Sequence, residues 1–382
     1  MNVYDYLKWR GDLNFENAPF NEVDNICLSY IAYTKLDPYI KKDESIGIKE
    51  AADRFFAHHS EEEVMMSKSF CAQAPILLRE MAKTRRFGNA VIHDFVSIMN
   101  HKTTEQFCAF QIDLDKDNTY VTFRGTDDSL LGWKEDFALS YTTTSSQKSA
   151  AAYLKERCRF DHLYYVGGHS KGGNLAAYAC LNNPSLYPSI ITCFSNDGPG
   201  LNERFMSEEA KENFEYFQYK YVKFIPEMDV FGTIFENERH HIIIKSDGLS
   251  VMQHDLLSWQ VEGDHFVYGE KNTYSSLAIK EGIKEFLTTV SEADCKKFSN
   301  ELFKALKDAG LTTITEIAHG SLPVFVRILM EFSEMNETAR EVSSKFVGIL
   351  LKSSGSGIVD SASAYLNDVV KDIKELFTGN DE

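Results

Sequence analysis

The chain has 382 residues, 43% apolar and 25% charged, the composition of a globular protein with a substantial core. Its formal net charge of −17 excludes a general nucleic-acid or anionic-membrane binder, because both need a basic surface. No stretch approaches the roughly 18 apolar residues that span a bilayer, and Met1 to Asp12 lacks the apolar core of a signal peptide. The seven cysteines (Cys27, Cys71, Cys108, Cys158, Cys180, Cys193, Cys295) are scattered, with no Cys-x-x-Cys pair. They read as reduced, buried thiols, and the expected address is the cytoplasm.

Residues 1–100 read as a helical N-terminal region packed on the core. Apolar residues recur at helical spacing from Asn21 to Ile31, ahead of Pro38; Glu61 to Glu63 open a second helix and Ile76 to Met81 form a third. The pattern then changes. Cys108 to Leu114 and Thr119 to Phe123 are strand-like and separated by the turn tetrad Asp115 to Asn118. Helix-like Ala150 to Glu156, a strand at 162–166, a helix from Asn174 and a strand at Ser189 to Phe194 continue an alternation. Tyr219 to Ile225 and His240 to Lys245 add two strands. Alternating strands and helices predict an α/β fold over 101–290, with a mostly parallel sheet covered on both faces.

Residues 291–382 form a helical C-terminal extension in this reading. Val359, Ala362, Tyr365, Leu366, Val369, Val370, Ile373 and Leu376 mark an amphipathic helix after the flexible joint Ser353 to Gly357. Such a helix packs on the body or on a sister chain, so self-association through the C-terminal helices is one expected partnership. A peripheral membrane helix fits less well, because its polar face carries as much acid as base.

The most informative stretch is Gly168-His169-Ser170-Lys171-Gly172-Gly173. It sets a serine in Gly-x-Ser-x-Gly between an apolar strand and a helix-forming run, the context of a nucleophile elbow. The turn is strained, and a side chain two positions to either side of the serine would collide with the neighbouring strand or helix. The residue after the serine opens a helix, which turns its N–H toward a developing oxyanion. The alternative is a tight glycine turn with Ser170 as a helix N-cap.

A triad needs a base and an acid later in the chain. His254, on the loop after the strand ending at Lys245, is the preferred base, and His265 in Gly263-Asp264-His265-Phe266 is the reserve. His58, His59, His93 and His101 precede the elbow, and His169 adjoins Ser170, where neighbouring side chains diverge. Asp229, at the exit of the strand through Ile225, is the preferred acid; Asp197, in Asp197-Gly198-Pro199-Gly200, reads as a turn former held in reserve. The oxyanion donors are the N–H groups of Lys171 and of Thr126, in the strand exit Phe123-Arg124-Gly125-Thr126. The Lys171 ammonium either reaches the cleft and favours anionic substrates or points along the helix into solvent. The adjacent pairs His58-His59 and His240-His241 diverge on helix or strand, so no metal site is expected.

Phe123-Arg124-Gly125-Thr126 followed by Trp133-Lys134-Glu135-Asp136-Phe137 resembles the class 3 (fungal-type) lipase signature. The elbow resembles that family's Gly-His-Ser-Leu-Gly-Gly, and Cys193 to Gly200 and Pro226 to Val230 are similar to its post-elbow turn and acid segment. Tyr6 to Asp12, Gln253-His254-Asp255 and Trp259 look like a bacterial branch of the superfamily. The resemblance covers about residues 105–270. It implies an α/β-hydrolase fold and a Ser/Asp/His hydrolase acting on a small-molecule or lipid ester without a cofactor. Lys171 departs from the family's leucine. Ala138 to Ser149, where a lid is expected, is rich in Ser and Thr and argues against strong interfacial activation. The rival expectation is a catalytically weak or inactive hydrolase-fold protein acting as an interaction scaffold.

Overall fold

The computed structural model describes residues 1–313 apart from 68–70, 230, 236–240, 274–276, 278–279, 282–283 and 286–288. The amphipathic helix expected over 359–376, the joint before it and His240 lie outside the described residues. Five helices occupy the N-terminal part: α1 (Val3–Arg10), α2 (Glu22–Tyr30), α3 (Ile48–Phe56), α4 (Glu61–Met66) and α5 (Ala74–Ala82). The strands are β1 (Ile46–Gly47), β2 (Val91–Asn100), β3 (Glu105–Asp113), β4 (Asn118–Phe123), β5 (Leu163–His169), β6 (Ile190–Asn196), β7 (Tyr221–Pro226) and β8 (His241–Ile244).

These eight strands form one sheet in sequence order. β1 to β4 pair antiparallel, and β4 to β8 pair parallel. The period-two alternation of β3 and β4 builds two cores. Cys108, Phe110, Ile112 and Tyr120 face the N-terminal helices. Phe107, Ala109, Val121 and Phe123 face the helices α7 (Ser145–Arg157), α8 (Lys171–Leu181) and α9 (Glu208–Phe217). A mostly parallel sheet covered on both faces, with a strand–turn–helix elbow in it, is the α/β-hydrolase architecture read from the sequence.

β2 and the two-residue β1 are strands the sequence reading did not contain, since it read 1–100 as helical. The register of β2 against β3 shifts between His93 and Val96, and Asp94 has φ +52°. That bulge resets the alternation halfway along, so neither half is long enough to read as a strand.

α2 is buried from Val23 to Tyr30, polar residues included. Asn21 caps it through a capping box with Asp24. Asp24 pairs with Arg86 and accepts from Tyr6 Oη at 2.7 Å, so the buried charge is matched. Asn25 Nδ2 donates to Asn196 Oδ1 at 2.7 Å, and Asn196 Nδ2 donates to Ser29 Oγ at 2.9 Å and to Gly168 O at 3.1 Å. This satisfied network ties α2 to the ends of β5 and β6, directly under the elbow.

The chain divides into two compact units, Met1–Asp127 with Thr143–Asn272, and Asp128–Thr142 with the described residues from Thr273 on. The sheet belongs to the first. In the second, α6 (Leu130–Ala138) packs on α10 (Glu292–Asp308) through Phe137 and Phe298, with ring centroids 5.5 Å apart. No described helix is long and apolar enough to cross a membrane. All seven cysteines are free and buried.

Candidate active site

Ser170 stands alone between β5 and α8, with φ 56° and ψ −130°. A positive φ at a residue with a side chain is strained and is held here by its surroundings. A Cβ on Gly172 would lie 2.1 Å from Phe123 O, and one on Gly168 would lie 2.5 Å from Gly172 C, so both flanking glycines are sterically required. The Ser170 N–H donates to Asn196 O at 3.0 Å, and its carbonyl accepts from the Gly173 N–H at 2.9 Å. Its side chain makes no cap hydrogen bond, which separates it from the N-cap alternative, and it is half-buried.

His254 ends the 3-10 turn Ser250–His254 and is 5% exposed. Its Nδ1 lies 2.7 Å from Asp197 Oδ2 and 3.9 Å from Asp229 Oδ1. The hydrogen bond therefore goes to the residue held in reserve and not to the preferred Asp229. Both carboxylates follow adjacent parallel strands, at the carboxyl ends where such sheets carry their sites. Asp197 comes immediately after β6 with φ +52°, so it does form a turn, but that turn aims its carboxylate at the imidazole. Asp229 is held by backbone: its Oδ2 accepts the N–H groups of Phe231 at 2.5 Å and Gly232 at 3.3 Å. A Cβ on Gly232 would sit 2.3 Å from Asp197 Oδ1, so the backbone is pressed against the acid.

Both carboxylates are fully buried. Burial pushes Asp197 up to about 7, opposed by the hydrogen bond with Asp229 and by the positive charge of Lys223 on β7. Burial, then the neighbouring Asp197 charge, pushes Asp229 well above the usual carboxylate range. The donor atoms of Asp197, Asp229 and His254 lie within 4.8 Å of one another, a spacing that a cation could also bridge. The reserve base His265 sits elsewhere, in the hairpin of β9 (Val261–Glu262) and β10 (His265–Phe266). There its Nδ1 is 3.4 Å from Asp264 Oδ1 and its ring stacks on Tyr268.

His169, set aside in the sequence reading because it diverges from Ser170, is part of the site for that reason. Its Nε2 donates to the His254 carbonyl at 2.8 Å, and its Nδ1 accepts from Tyr33 Oη at 2.9 Å. Burial holds it well below the usual imidazole range, so it is neutral. The His254 ring lies between His169, at 4.5 Å, and Phe231, at 4.4 Å. Gln253 fixes the same turn: its Oε1 accepts from the Met228 N–H at 2.8 Å, and its carbonyl accepts from Trp259 Nε1 at 3.0 Å.

Lys171 takes neither orientation expected of it. It is 1% exposed, and its Nζ donates to Gln106 O at 2.9 Å and Gln106 Oε1 at 2.8 Å, on β3. Its main-chain N–H is the first of α8, where helix geometry supplies no intrahelical acceptor. A Cβ on Gly172 would come within 3.0 Å of Gly125 N, so the exit of β4, which leads to half-buried Thr126, runs against the start of α8.

Among solved structures, the chain is similar to fungal lipases. The Rhizomucor miehei lipase, in a propeptide complex, shares 14% identity over 50% of this chain and 71% of its own, with a TM-score of 0.33. Lipase II from Rhizopus niveus shares 14% over 45% and 72%, with 0.31. The lipase from Rhizopus microsporus var. chinensis shares 14% over 61% and 94%, with 0.32. No curated protein matches the sequence. The Mbeg1-like family model matches residues 81–304, more than half of the chain, which therefore belongs to the Mbeg1-like family.

Proposed function

We propose that the protein is a serine hydrolase that cleaves carboxylic esters through an acyl-enzyme on Ser170. The observation that carries this reading is the buried His254–Asp197 pair, its imidazole packed at a tilt against the residue next to a strained serine. His254 takes the Ser170 proton as Oγ attacks the ester carbonyl, and Asp197 fixes the imidazole tautomer and stabilises its charge. The N–H groups of Thr126 and Lys171 receive the oxyanion; loss of one such donor typically costs on the order of 10²–10³ in rate. His254 returns the proton to the leaving alcohol, then activates the water that frees the acyl group. No step calls for a metal or an organic cofactor. The seven free thiols fit a reducing compartment, so we place the protein in the cytoplasm.

The test is fluorophosphonate labelling of the purified protein, with the modified peptide located by mass spectrometry. Labelling at Ser170, absent in a folded Ser170→Ala variant, is the expected result. Equal labelling of the variant would remove Ser170 from the mechanism. Folded wild-type protein that takes up no label would favour the scaffold alternative.

A further inference from the structure

We infer that Asp197 and Asp229 form a carboxylic acid–carboxylate pair sharing one buried proton, in which Asp229 is the positioning residue that aims Asp197 at His254. The inference rests on the serine-hydrolase reading above for its consequence, though not for the pair itself. Both side chains are fully buried, and two carboxylates this close cannot both ionise without a large repulsive and desolvation cost.

The hydrogen bonds decide where the proton sits. Asp229 Oδ2 already accepts two backbone N–H groups, from Phe231 and Gly232, so the proton belongs on Oδ1. Asp197 Oδ2 takes the imidazole Nδ1–H, which leaves Asp197 Oδ1 for the Asp229 carboxyl. The chain of donors runs from Asp229 O–H to Asp197, while His254 N–H donates to the same carboxylate from the other side. Burial and the coupling of the two acids keep the proton on Asp229 when Asp197 ionises. Among the described residues, charged or titratable groups acting on the cluster include Lys223 from β7, His169 from β5 and Asp255 next to His254. Lys223 lowers Asp197, and neutral His169 adds no charge, so the arrangement presents one negative charge to the imidazole.

An asparagine copies a protonated aspartate, because its Nδ2–H can donate where the O–H did. Asp229→Asn should therefore keep ester turnover and fluorophosphonate labelling within about tenfold of wild type, whereas Asp229→Ala loses about 10²-fold or more. Asp197→Asn, which removes the negative charge and leaves one acceptor oxygen for two donors, should lose on the order of 10⁴-fold. Infrared difference spectroscopy of full-length protein should show a protonated-carboxyl band at neutral pH that disappears in Asp229→Asn. Titration of that band in wild type gives the same answer if a variant fails to fold. Absence of the band in wild type, or equal losses for Asp229→Asn and Asp197→Asn, would overturn the pair. The band is read without turnover, so a protein that never labels refutes the hydrolase reading while the spectrum still decides the pair.

Discussion

His169 Nε2 holds the backbone carbonyl of His254 at 2.8 Å, joining the residue before Ser170 to the loop that carries the candidate base. The bond crosses 85 positions of chain and is completed behind by Tyr33 Oη. His169→Phe keeps a ring against His254 but removes both nitrogens. We expect kcat on a short-chain ester to fall about 10–10²-fold with little change in KM, because misplaced catalytic groups cost rate more than ground-state binding. Steady-state kinetics beside a melting curve will check this. A loss confined to stability would reduce His169 to a packing role.

Gly232 lies against Asp197 Oδ1, where a Cβ would approach to 2.3 Å. Gly232→Ala must displace either the carboxylate or the turn that supplies two N–H groups to Asp229. We expect a destabilisation of about 1–3 kcal/mol and a loss of labelling at Ser170 larger than the fraction of unfolded protein explains. Denaturant titration and labelling rates on the same samples separate the two effects.

Lys171 offers a different test, since its ammonium is bound to Gln106 and not aimed at substrate. Lys171→Met keeps the stem and the main-chain N–H but leaves the Gln106 oxygens without this donor. The expected outcome is a stability loss of about 1–3 kcal/mol with no change in preference between neutral and anionic acyl esters. A shift in that preference would show that the charge reaches the cleft.

The central sheet was legible because β3 to β8 carry alternating or continuous apolar runs bounded by turns. β2 was not, because its bulge at Asp94 breaks the alternation. The turn at Ser170 was legible because Gly168 and Gly172 are demanded by close backbone approaches, to each other and to Phe123 on β4, that a short motif records. The choice between Asp197 and Asp229 was not, since both follow strands. They differ in tertiary register: Asn196 pairs with His169, and Asp197, the next residue, takes the hydrogen bond from His254. Lys171 was illegible for the same reason. Its partner Gln106 is 65 positions away, and nothing near Lys171 in sequence announces it.

The buried pair also fixes how stability responds to pH. Burial raises the Asp197 carboxyl from 3.8 to about 7, so between these values the folded state holds a proton that the unfolded chain has released. Stability then falls as pH rises, by up to about 1.4 kcal/mol per pH unit for one fully coupled group. The stabilising contribution is complete below the unfolded value and is lost as pH passes through about 7. Other buried acids titrate too, among them Asp24 and Asp255, which burial also raises. The informative quantity is therefore the difference between wild type and Asp197→Asn, whose amide does not titrate in this range. Urea midpoints at about pH 5 and about pH 8 should show wild type losing stability relative to the variant. Parallel pH dependences would mean that Asp197 is ionised throughout this range and takes up no second proton beside the one on Asp229.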